Sequence, residues 1–85
     1  KGKFMKNQNL VLSDSKWGDA CNGGSCVKDF YREIKFSREL TNEEIQSVCN
    51  DLQEEKGCPG WTGVNMIRSF DNFLYRFKTT WDSSG

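Results

Sequence analysis

Four cysteines in a chain of 85 residues constrain the fold more than any other feature. A chain this short buries a modest share of its surface, and its core alone supplies only a few kcal/mol. Crosslinks are the usual remedy. Cys21, Cys26, Cys49 and Cys58 leave gaps of 4, 22 and 8 residues. A four-thiolate zinc site is normally built from two close pairs with two to four residues between members. The first gap fits that spacing and the last does not. No Cys-x-x-Cys redox pair occurs. Disulfides are left as the expectation, and with them an oxidising compartment, secreted or periplasmic.

The stretch from Cys26 to Cys58 reads as two helices around a turn. Thr41 and Glu44 form a capping-box pattern, and Leu40 and Ile45 offer a hydrophobic staple. Ile45, Val48, Cys49 and Leu52 follow at helical spacing, with Lys56 and Gly57 suited to the helix end. Before the turn, Val27, Phe30, Tyr31 and Ile34 repeat the same spacing, with Ser25 as N-cap and Asp29 in the first turn. With the turn centred near Arg38, position 26 falls opposite position 50 and position 21 opposite position 56. That geometry favours nested bridges, Cys26 to Cys49 and Cys21 to Cys58. A sequential bridge would ask Cys49 to reach about 10 Å along the helix, against the roughly 5.5 Å between Cα atoms that a disulfide requires. Each nested bridge would contribute about 3–4 kcal/mol in the chain-entropy description.

Beyond the Pro59-Gly60 turn, apolar residues fall at Met66, Ile67, Phe70, Phe73, Leu74, Phe77 and Trp81. The spacing predicts a third helix with a broad apolar stripe. The fold expected is therefore all-α: a small disulfide-stapled three-helix domain, with an antiparallel helical hairpin over about 26–56 and a C-terminal helix over about 64–80. Residues 1–20 are expected to form a partly flexible N-terminal arm and residues 21–82 the stapled domain. Lys1 in place of Met fits a processed product or a cloned fragment. No apolar run approaches the roughly 20 residues of a membrane span, and no signal-peptide core is visible.

The chain has no histidine, which removes Ser-His-Asp and Cys-His nucleophile arrangements. Paired carboxylates are the remaining catalytic option, either Asp29 with Glu33 or Glu43 with Glu44. Their place opposite the apolar stripes marks them as solvated charges, so no catalysis is expected. No cofactor and no metal are expected either. The glycines of Cys21-Asn-Gly-Gly-Ser-Cys26 lack the Lys-Ser/Thr and the preceding strand of a phosphate-binding loop.

Twelve basic and twelve acidic residues cancel, but unevenly. Residues 1–16 hold four lysines and one aspartate; residues 38–58 hold six acids and two bases. A net charge of zero, with bases gathered in an arm, gives no nucleic-acid signature. The acids Glu43, Glu44, Asp51, Glu54 and Glu55 could dock a basic partner surface. Three Trp, two Tyr and six Phe are first of all what a chain this small needs to fill a core; where the broad stripe of the third helix exceeds what two short helices cover, the remainder would be an exposed patch. Trp17, Trp61, Phe73, Tyr75, Phe77 and Trp81, with Glu43, Glu44, Asp51 and Glu54, are the candidate partner-binding residues. The functional expectation is a small secreted protein acting by protein–protein binding, of the signal, pheromone, toxin or inhibitor type. Its partner would be a receptor, a target enzyme or a second copy. A carrier of an apolar small molecule between the helices, or a carboxylate-only enzyme, are the alternatives.

Overall fold

The computed structural model describes residues 7–18, 27–55 and 62–82. They form one four-stranded antiparallel sheet with an α-helix packed on it. The strands are β1 (Val11–Asp14), β2 (Val27–Phe36), β3 (Val64–Phe70) and β4 (Leu74–Asp82), in the order β1-β2-β4-β3, and the helix α1 (Asn42–Glu54) lies between β2 and β3 in the chain. Short 3-10 turns occupy Gln8–Leu10 and Asp71–Phe73.

The pairing of β2 with β4 is the axis of the fold. Phe30, Arg32 and Ile34 stand opposite Thr79, Phe77 and Tyr75, and residues directly opposite share a face. That face meets α1. Its core is Ile34, Phe36, Leu40, Val48, Cys49, Leu52, Val64, Tyr75 and Phe77. Phe36 and Tyr75 meet edge to face at 5.7 Å. The Tyr75 hydroxyl accepts the backbone N–H of Leu40 at 2.9 Å, which ties the approach to α1 onto β4. The capping box is present: Thr41 Oγ1 accepts from Glu44 N–H and the Glu44 carboxylate accepts from Thr41 N–H.

Arg32 is the exception on the buried face. It is 2% exposed, yet charged. Its Nε and Nη2 donate to the two oxygens of Asp14 on β1 at 2.9 and 2.6 Å, and its Nη1 donates to Glu55, just past α1, at 2.7 Å. Trp17 covers the guanidinium at 5.6 Å. Burial alone would raise the Asp14 carboxyl, but hydrogen bonds from Arg32 and from the Lys16 N–H outweigh it and hold the group below its ordinary value of 3.8.

The three-helix domain expected from periodicity is not what the chain forms. Of the hairpin over 26–56, only the second arm is a helix; the first is β2. The range 64–80 is the β3–β4 hairpin, not a helix. The reason is that spacings of four satisfy both periods. Tyr75, Phe77, Thr79 and Trp81 alternate with Arg76, Lys78 and Thr80 in a β-branched, aromatic run. In β2 the alternation is masked because Arg32 sits where an apolar residue is expected. The helical and disulfide-stapled readings fall together. With no antiparallel helix beside α1 among the described residues, the expected bridge from Cys49 is not made: it is a free thiol, buried under β3, with the backbone N–H of Met66 directed at it. Cys21, Cys26 and Cys58 lie outside the described residues, as does the pairing of Cys21 with Cys58. Residues 11–14, assigned to the arm by sequence, form the edge strand β1.

Removing the Tyr75 hydroxyl leaves a buried N–H without its acceptor. Tyr75→Phe is expected to lower stability by about 1–3 kcal/mol in urea unfolding, with an unchanged slope. Asp14 has a lower pKa folded than unfolded. Its contribution is complete above pH about 4 and is lost as pH falls through the folded value. Half-buried Glu44 behaves likewise, held by Arg38 down from 4.5 to about 2. In Asp14→Asn the acid fall in stability below pH about 4 is expected to be shallower, read from chemical denaturation at stepped pH.

Candidate functional site

The sheet has a second face, and among the described residues no element packs on it. The residues on it follow from the register. In β2 they are Asp29, Tyr31, Glu33 and Lys35, opposite Thr80, Lys78, Arg76 and Leu74 of β4. In β3 the register slips between Met66 and Arg68. Ile67 is the extra residue, and the slip moves Arg68 and Phe70 onto this outward face, opposite Arg76 and Leu74.

Two guanidiniums gather on one ring there. Arg68 lies 4.6 Å and Arg76 5.2 Å from the centre of Phe70. Arg76 also donates twice to Glu33 Oε2, at 2.8 and 2.6 Å. Lys78 reaches Asp29 at 3.9 Å, and Asp29 accepts from the Thr80 hydroxyl at 3.0 Å. The like charges of Arg68 and Arg76 stand directly opposite across the strands, an arrangement that costs stability unless a counter-charge is near. Glu33 neutralises one of them. Arg68 has no carboxylate partner among the described residues.

The hairpin ending this face is strained. Asn72 and Phe73 both hold positive φ, 67° and 60°. Asn tolerates this conformation, but a bulky aromatic residue there is an outlier. Phe73 is also 43% exposed, so burial does not compensate for the strain. Strained residues persist where the surrounding structure fixes them, often at contact sites.

The residues singled out from sequence are divided between layers. Phe73 is exposed at the hairpin tip. Tyr75 and Phe77 are buried in the core and present nothing to a partner. Trp17 is half-buried against Arg32, and its Nε1 makes no hydrogen bond among the described residues. Trp81 is half-buried on β4. Trp61 lies outside the described residues. Glu43 and Glu54 are exposed on α1, Asp51 is half-buried there, and Glu44 is held by its cap and by Arg38. The sequence reading missed Tyr31, Lys35, Arg68, Phe70 and Arg76. Two-residue alternation in 27–36 and 74–82 was the signal that could have found most of them.

Asp29 and Glu33, one of the carboxylate pairs considered for catalysis, are four residues apart on one strand, about 13 Å between Cα atoms. Each is engaged by a base. Among the described residues no three His, Cys, Asp or Glu side chains come together as metal ligands would, and no helix is long and apolar enough to cross a membrane. No protein-family model matches the chain, and comparison with curated proteins and with solved structures finds no significant match.

Glycine takes positive φ without steric cost. Phe73→Gly is therefore expected to raise the unfolding free energy by about 1 kcal/mol. Paired thermal and urea melts check it; a fall in stability would mean that the ring contributes packing worth more than the strain.

Proposed function

We propose that this chain is a non-catalytic binding module that engages protein through the outward face of its sheet. One observation carries the reading: a four-stranded sheet covered on one side by α1 carries on its other side Phe70 with two guanidiniums within 5.2 Å of its ring centre, and ends in the exposed, strained Phe73. Arginine and aromatic side chains are the types enriched at energetic centres of interfaces. Rigid aromatic groups contribute contact area at small entropic cost.

Two features make protein the favoured class of partner. The outward face mixes signs, with Lys35, Arg68, Arg76 and Lys78 among Asp29 and Glu33. Polyanion-binding surfaces instead concentrate one sign along a track. The ion pairs Arg76–Glu33 and Lys78–Asp29 hold long side chains in place, which lowers the entropy lost on docking. With Cys49 a free thiol, nothing in this reading depends on an extracellular setting. A carrier role required a cavity between helices, and α1 is the one α-helix among the described residues.

Photo-crosslinking tests the assignment. A benzophenone amino acid placed at Tyr31, on the outward face, is expected to give protein adducts in the native milieu. The same group at Leu12, on the far edge and 63% exposed, is expected to give few. No protein adduct from position 31, or equal yields from both positions, would overturn the reading.

A further inference from the structure

Resting on the outward face as the contact surface, the geometry points to a second copy of this chain as its partner, with the outer side of α1 docked across the basic sheet face in a head-to-tail stack. The charges on the two sides of the molecule are the first ground. On the sheet face Arg76 and Lys78 already have carboxylates, whereas Lys35 and Arg68 have none among the described residues. On the other side α1 carries four acids and no base. Glu44 is engaged by Arg38, while Glu43 and Glu54 are exposed without an ion-pair partner among the described residues. Two bases without counter-charges on one side thus correspond to two such acids on the other.

Spacing is the second ground. Glu43 and Glu54 are eleven residues apart, three turns plus about 20°, so they project from the same side of the helix about 16 Å apart. Lys35 on β2 and Arg68 on β3 flank β4 with an offset of two residues, which puts their Cα atoms about 12 Å apart. The length of Lys and Arg side chains closes the difference. A helix laid obliquely over the face brings each acid to a base. Phe70 lies beside Arg68 under that path.

The edges supply the third ground. Open sheets commonly associate by strand pairing at their edges. Here β1 is four residues long and irregular at Leu12, and β3 is irregular at Ile67. Bulges and short strands disfavour lateral pairing. Stacking of a face on a helix layer remains. Such a contact uses different surfaces on the two copies, so it propagates as a stack or closes as a ring. Being built on exposed charges, it is weak and sensitive to salt.

Analytical ultracentrifugation of the full chain tests this. At low salt the weight-average mass is expected to rise with concentration past twice the monomer's, and to fall back towards the monomer's at high salt. Arg68→Ala is expected to weaken association about two- to fivefold, and Glu43→Ala with Glu54→Ala by more. These positions are exposed, and circular dichroism confirms that the variants are folded. An equimolar mixture of the two variants is expected to regain association but to stop at a pair, because each member keeps one intact surface. A monomer at every concentration, association of Arg68→Ala equal to wild type, or a mixture that stays monomeric would each overturn the inference. A monomer that still crosslinks from position 31 to a different protein would leave the binding reading standing and remove only the second copy.

Discussion

The buried guanidinium of Arg32 is the interaction on which the rest of this structure depends. It joins three segments far apart in sequence: β1 through Asp14, the central strand β2 that carries it, and the end of α1 through Glu55. A charge so deeply placed is tolerated only because three of its N–H groups meet carboxylate oxygens and Trp17 covers its plane. Replacing one partner would strand the others, so the cluster acts as a unit. It is a device for specifying arrangement as much as for adding stability. The bidentate pair with Asp14 adds geometric specificity to the placement of β1 on β2.

The same residue explains why the sequence misleads. The local signals for α1 are strong, because capping is short-range chemistry: Thr41, Glu44 and the apolar spacing of Ile45, Val48, Cys49 and Leu52 all belong to one segment. The strands have no such local marker. In β2 a charged residue occupies an inward position, so Phe30, Ile34 and Phe36 do not read as an unbroken alternation. In the β3–β4 hairpin the turn lacks glycine and proline, and Asn72 with Phe73 adopts positive φ against the ordinary preference of phenylalanine. The register slip at Ile67 then shifts Arg68 and Phe70 to the outward face, which no strict period anticipates. Of the candidate contact residues, Phe73 was legible as an aromatic group in excess of the core. Arg68 and Phe70 became visible only through pairing across strands.

Pairing also reorganises the charge. Read along the chain, acids cluster in the middle and bases at the start. Folded, the division runs through the thickness of the molecule: α1 bears acids alone on one side, while among the described side chains Lys35, Arg68, Arg76 and Lys78 outnumber Asp29 and Glu33 on the outward sheet face. A neutral sequence thus yields a protein with two unlike sides. Its field orients an approaching body before contact, an effect on encounter that outweighs the modest strength of any single exposed ion pair.

Cys49 has a practical consequence of its own. The residue is 5% exposed between α1 and β3, and burial pushes its thiol up from the usual range, keeping it protonated and poorly nucleophilic. A maleimide or disulfide reagent therefore reaches it only when the helix lifts from the edge strand. Alkylation kinetics at this atom become a native clock for that opening, reporting the free energy of one seam without a label being introduced.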